Sequence, residues 1–297
     1  MKPRDQVKLL SNLKSKLILF LLGFFTVFSF LPCRGVGCAS CGLCFFAPIT
    51  VLGAAYASRI KKPSRRFDFV EVVYGEERWR LLHELRVKAL GIMEALRGVG
   101  IGQTLVHGSL ARGDVTRRSD VDVVIPYPVA SFQVELALEK AGYHVMDRLM
   151  VQATPAHTVK AHLYLDELTT VTFPLLEFTR LEREFYRFGG ELELEALKAE
   201  KRTPGVDKRL MLIIPTDKGH LEASILGREA EAARIVGVSP EIVAQRVRVL
   251  LRRDEVGRTG VYLKYRLGEG ETFEEAFRRL ASQDPAIKRM LAGRGRL

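Results

Sequence analysis

The stretch His107-Gly108-Ser109-Leu110-Ala111-Arg112-Gly113-Asp114-Val115-Thr116-Arg117-Arg118-Ser119-Asp120-Val121-Asp122-Val123-Val124 decides how this chain is read. Leu105 to His107 has the character of the end of a short buried strand, and Gly108-Ser109 that of a tight exit from it. Ser119 to Ile125 reads as a second strand, apolar after Ser119 except at its paired acids. Asp120 and Asp122 stand at i and i+2, so a strand points both to one face. Two carboxylates on a strand otherwise fit for burial are costly without a purpose. A hard divalent cation supplies one, because Mg²⁺ takes oxygen ligands and is usually held by one or two carboxylates plus phosphate oxygens. A glycine followed by a small hydroxyl residue lets backbone and hydroxyl approach a phosphate closely.

The flanks fit around this stretch. Leu82, Leu85, Ala89, Met93 and Leu96 recur at helical spacing, which predicts a helix over 76–96 ended by Gly98, Gly100 and Gly102. After the aspartates, Pro126 and Pro128 stop the strand, and Ser131 is expected to cap a helix reaching Ala141, with Gly142 closing it. Residues 160–165 and 169–176 read as a hairpin turning at Asp166-Glu167. Arg180 to Phe188 reads as a helix stopped by Gly189-Gly190, its Phe185, Tyr186 and Phe188 suited to a core. Lys208 and Arg209 precede a buried-looking strand, 210–214, and are placed either to meet phosphate or to be solvated.

Gly-Ser, ten residues, then Asp-x-Asp resembles the signature of the DNA polymerase beta superfamily of nucleotidyltransferases, and "GSLARGD…SDVD" is especially similar to its minimal archaeal and bacterial domains. With flanking elements the resemblance extends over roughly residues 75 to 180. It implies an α/β (α+β) core and a nucleoside triphosphate held with Mg²⁺ or Mn²⁺ on Asp120 and Asp122. Gly108, Ser109, Arg112 and Ser119 would then line the nucleotide, with Arg112 or Arg117 adding positive charge near the leaving group. The resemblance also implies a third carboxylate on the return strand, at about 170–172, to complete a two-metal site. Those positions hold Thr170, Val171 and Thr172. Asp166 at the turn and Glu177 beyond Pro174 are the nearest substitutes, Asp166 being preferred because one shift of hairpin register would bring it toward the site.

Toward the C-terminus, Arg228 to Val236 and Glu241 to Arg253 read as two helices joined at Gly237, with Ser239 as N-cap and Pro240 at the first helical position. A strand over 261–265 follows. Helix, glycine turn, basic helix and hairpin resemble a winged helix-turn-helix, which would offer RNA or DNA contact. Thr272-Phe-Glu-Glu275 forms a capping box for a last helix.

The net charge of +11 is a property of the N-terminus: residues 1–66 hold 11 Lys and Arg against the single Asp5, whereas the remaining 231 residues hold 35 basic and 34 acidic. Only the modest basic excess of 228–297, 15 against 10, favours nucleic acid. Cys33, Cys38, Cys41 and Cys44 are the whole cysteine complement, so the body has neither disulfides nor thiol chemistry. The 17 residues Leu17 to Cys33 and the 24 residues Gly35 to Ser58 are uncharged and flanked by basic clusters. That pattern fits a two-helix membrane hairpin over 17–58 with both ends cytoplasmic. It is open to three other readings: a signal peptide, a cysteine metal cluster, or translation starting downstream.

The expected organisation is therefore an apolar segment, 1–66; a nucleotidyltransferase core, 67–180; an α/β extension, 181–227; and a helix-turn-helix-like module, 228–297. The expected activity is transfer of a nucleoside monophosphate from an NTP to a hydroxyl acceptor with release of pyrophosphate, in the cytoplasm or at its membrane. The alternative is a nucleotide-sensing, nucleic-acid-binding regulator with a catalytically weak core. Asp120, Asp122 and Asp166 are the expected catalytic residues.

Overall fold

A computed structural model describes residues 68–257 and 260–293. The apolar segment, its cysteines and the proposed membrane hairpin lie outside the described residues. Among the described residues no helix is long and apolar enough to cross a membrane.

The centre is a seven-stranded sheet made of β2 (Leu105–His107), β3 (Val121–Val124), β4 (Asp147–Gln152), β5 (Lys160–Tyr164), β6 (Thr169–Pro174), β7 (Glu191–Glu193) and β11 (Leu263–Arg266). Its order is β11-β4-β5-β6-β3-β2-β7, and β3 and β6 are its parallel pair. Alternation along each strand divides the sheet into two unlike faces. One carries Val121, Val123, Ala161, Leu163, Val171 and Phe173, each at most 1% exposed. Against it pack α1 (Glu76–Gly98), α3 (Ser131–Lys140), α8 (Phe273–Gln283) and α9 (Pro285–Gly293), through Ile92, Met93, Leu138, Phe273 and Ile287 among others.

The expected helices and hairpin form close to their predicted bounds; α1 runs two residues further, to Gly98. Ser131, expected as a cap, is instead the first residue of α3. Its amide and hydroxyl both donate to Glu274, at 2.7 Å each, so a carboxylate from α8 satisfies that helix start. Strand β4, preceding the hairpin, has no clear alternation to announce it.

A second, four-stranded antiparallel sheet has the order β1-β10-β9-β8, from β1 (Val70–Val73), β10 (Gly219–Ser224), β9 (Met211–Thr216) and β8 (Gly205–Val206). Leu210, just before β9, and Leu212 of β9 share a core with Phe188 of α4 (Arg180–Phe188) and with α6 (Glu229–Val236) and α7 (Pro240–Val256). Ser239 caps α7 by accepting from the Ile242 amide, with Pro240 in the first turn, as the sequence predicts.

The C-terminal region divides where a single module was expected. Helices α6 and α7, joined through left-handed Gly237, pack with the second sheet. Strand β11 forms no wing hairpin: it adds antiparallel to β4 at the edge of the central sheet, and α8 and α9 enter the central core. The physical reason lies in Phe273, Ile287 and their neighbours, whose apolar surface completes the helical layer over Phe173.

Candidate nucleotide site

The other face of the central sheet is polar. Asp122 lies beside Thr170 across the parallel β3–β6 pair, and Thr170 lies beside Tyr164 of β5. The next row holds Val124, Thr172 and His162, and the row beyond it Pro174 and Lys160. Asp120 precedes β3 and is exposed; Asp122 is half-buried. Burial, and after it the charge of Asp120, raises the Asp122 carboxyl to about 6, while Lys208 pulls the other way. A desolvated carboxylate beside a second one is the arrangement that a divalent cation relieves, so the donor set fits hard-metal binding. No cluster of three or more His, Cys, Asp or Glu able to hold a metal occurs among the described residues.

The glycine-serine turn is built to reach this pair. Gly108 adopts φ 78° and ψ −138°, a backbone region that is open to glycine and strained for other residues. The chain then makes the single turn α2 (Ser109–Arg112) and leaves it through Gly113 at φ 92°. The Ser109 hydroxyl donates to Ser119 Oγ at 3.0 Å, and Ser119 Oγ also accepts from the Thr116 amide at 2.9 Å. Ser119 thus ties the glycine-serine turn to the start of the aspartate strand, ten residues on. The Gly108 amide is engaged with the Gly190 carbonyl at 2.9 Å, leaving the Ser109 and Leu110 amides, the first of the turn, without intrahelical acceptors.

The expected site residues separate accordingly. Asp120, Asp122, Ser109 and Ser119 are brought together. Arg112 faces inward, 5% exposed, where it pairs with Asp114 at 2.9 Å and donates to the Gly189 carbonyl. Its charge holds the motif's own loop. Arg117 pairs with Glu77 at the surface. Asp166 is committed elsewhere: it pairs with Lys88 of α1 at 2.5 Å and accepts from the Leu168 amide at 2.9 Å. The hairpin register sets Thr170 beside Asp122, and the turn acid hangs toward the helical layer. Glu177 is exposed in the loop after β6.

Three further features belong to this face. Gly189 and Gly190, legible in sequence only as a helix stop, clasp the motif from behind. A Cβ on Gly189 would lie 2.3 Å from the His107 ring, and Gly190, at φ +89°, carries the carbonyl that holds Gly108. His107 Nδ1 donates to the Tyr186 carbonyl at 3.1 Å, and burial, aided by Arg112, drives its pKa down to about 3. Lys208, exposed on the turn between β8 and β9, is the cation that Asp122 feels. Its neighbour Arg209 is locked by Asp207 and Glu222 at 2.6 Å each, so the sequence pair Lys208-Arg209 splits into one cation facing the site and one structural cation.

Residues 88–188, about a third of the chain, match the family model described as a nucleotidyltransferase domain. No curated protein and no solved structure shows significant similarity to the chain. The matched stretch runs from the middle of α1 to the end of α4 and contains the glycine-serine turn, both aspartates and the Thr170 strand. Over residues 88–188 the chain is therefore similar to a nucleotidyltransferase domain, in line with the resemblance carried by its glycine-serine turn and paired aspartates.

Proposed function

We propose that the domain transfers a nucleoside monophosphate from an NTP to a hydroxyl acceptor, with release of pyrophosphate. The observation that carries this reading is the juxtaposition of Asp120 and Asp122 with a glycine-serine turn fastened to their strand through Ser109 and Ser119. Asp120 and Asp122 would hold Mg²⁺ or Mn²⁺, and such a cation neutralises charge on the phosphates when bound. The Ser109 hydroxyl and the amides of Ser109 and Leu110 are the groups available to hold phosphate oxygens. Lys208 adds positive charge from the side of the second sheet. Rigid placement of these groups supplies the orientation that makes in-line attack on the α-phosphorus productive.

A second reading is favoured by one observation. Thr170 occupies the position beside Asp122 where a third carboxylate would complete the metal site, which suits a domain that senses nucleotide with little turnover. Incubation with each labelled NTP and Mg²⁺ or Mn²⁺, offering tRNA, total RNA and protein as acceptors, separates the two. Label transfer that disappears in Asp120→Ala and Asp122→Ala supports the transferase. Saturable NTP binding with no transfer to any acceptor favours the sensor.

A further inference from the structure

Lys160 and Arg246 converge on the aspartate-bearing face from different parts of the chain, one on β5 and the other on α7. The Lys160 amine donates to the Tyr186 hydroxyl at 2.9 Å and sits 4.9 Å from that ring, 5.2 Å from Phe178 and 5.6 Å from Phe185. The Arg246 guanidinium lies 4.9 Å from Phe185, so the two cations share one ring. Neither forms an ion pair with a carboxylate among the described residues, and Arg246 Nε is shielded from solvent without a partner. The nearby acid is Glu182, whose oxygens accept from the amides and hydroxyls of Thr158 and Thr179. Burial pulls the Lys160 amine down to about 8, against the opposing charge of Glu182 and with a smaller push from Arg246, and burial, then the charge of Arg253, lowers Arg246 to about 10. Two desolvated like charges over shared aromatic rings carry an electrostatic cost that a bound anion would remove.

We propose that Lys160 and Arg246, floored by Phe178, Phe185 and Tyr186, form a phosphate-binding subsite for the acceptor. Lys160 lies four residues from Tyr164, the end of the row containing Asp122, or about 13 Å along the strand at ~3.3 Å per residue. An anion held there is therefore distinct from the triphosphate at Asp120 and Asp122. The subsite stands on its own geometry; only its assignment to the acceptor rests on the transferase reading.

The test uses the full chain without metal or nucleotide, titrated with inorganic phosphate against chloride at constant ionic strength, with heat of binding and Tm as readouts. A saturable response is expected, weakened at least tenfold in Arg246→Gln and in Lys160→Gln, largely kept in Arg246→Lys and unchanged in Ser109→Ala. No saturable response, or one that both glutamine variants retain, overturns the subsite. Loss in Ser109→Ala alone moves the phosphate to the glycine-serine turn and overturns it equally. Should Lys160→Gln fail to fold, half-buried Arg246, on a helix surface, carries the comparison. Added Mg²⁺ and NTP should leave phosphate bound; displacement by NTP overturns the acceptor assignment. A sugar phosphate and a short oligoribonucleotide then compete for the site. Displacement by the first alone identifies a small phosphorylated acceptor and by the second a nucleic-acid backbone; displacement by neither overturns the assignment. Because none of these readouts needs turnover, failure of the transferase assay leaves them interpretable.

Discussion

The two faces of the central sheet are made by the same strands and differ in almost every physical respect. Along β3, Val121 and Val123 enter the helical layer while Asp122 faces the other way; along β6, Val171 and Phe173 alternate with Thr170 and Thr172. The apolar face is closed over by four helices. The polar face holds a carboxylate with a raised pKa, a half-buried histidine held neutral and a lysine among rings, each desolvated by its surroundings. One face spends its burial on packing, and the other on shifting the chemistry of ionisable groups. The comparison teaches that stability and function should separate by strand parity.

The hardest test of that separation is Asp122→Asn. Transfer should fall about a thousandfold, roughly 4 kcal/mol of barrier at ~1.36 kcal/mol per decade, with Tm held or slightly raised because a desolvated charge is removed. On the opposite face Phe173→Ala should cost about 4 kcal/mol of stability, read by denaturant unfolding, because a fully buried ring leaves a cavity against Phe273. Its activity per folded molecule should remain. Activity loss in Phe173→Ala at a temperature where it stays folded would break the division.

Acid should expose the polar face. Burial, then the charge of Lys160, lowers His162 to about 4 from 6.5, so between those pH values the unfolded chain binds a proton that the folded chain refuses. Stability from this group is complete above pH 6.5 and is lost as pH falls toward 4, about 3 kcal/mol at ~1.36 kcal/mol per pH unit. Asp122, raised from 3.8 to about 6, has the opposite sign: it favours folding at low pH and loses that contribution as pH rises through 6. His162→Gln should therefore flatten the fall in Tm between pH 6.5 and 4, and Asp122→Asn should steepen it.

Much of this was legible in the residues. The glycine-serine turn, the paired aspartates, the β5–β6 hairpin, helix α4 with its glycine stop and the capped helices α7 and α8 each carry a local signal of spacing, capping or turn chemistry. The partners in space carried none. Gly189 reads as a helix stop until His107 is seen against it, and Arg112 reads as a phosphate ligand until Asp114 and Gly189 are seen to claim it. The fate of β11 was hidden because a four-residue strand says nothing about which edge it will join. Lys160 and Arg246 stand 86 positions apart in sequence, and only the packing of α7 beside α4 brings both to Phe185.

Thr170→Asp sharpens the question of the missing acid. A third carboxylate beside Asp122 should tighten Mn²⁺ about tenfold at pH 8, some 1.4 kcal/mol, by adding ligand charge. Without metal the same variant should melt lower, because like charges then crowd one strand pair. Unchanged Mn²⁺ affinity would mean that Thr170 does not face the ligand-binding pair.

The smallest effect is expected at the turn acid, Asp166, which the structure pairs with Lys88. Asp166 and Lys88 are each 40% exposed, so their pair is screened and should contribute well under about 1 kcal/mol. Asp166→Asn keeps an acceptor for the Leu168 amide and should leave Tm within a degree or two and transfer unchanged. If transfer instead falls a hundredfold while Lys88→Met has no effect, the turn carboxylate reaches the metals during turnover. The polar face would then extend around the hairpin tip, and strand parity alone would not divide packing from chemistry.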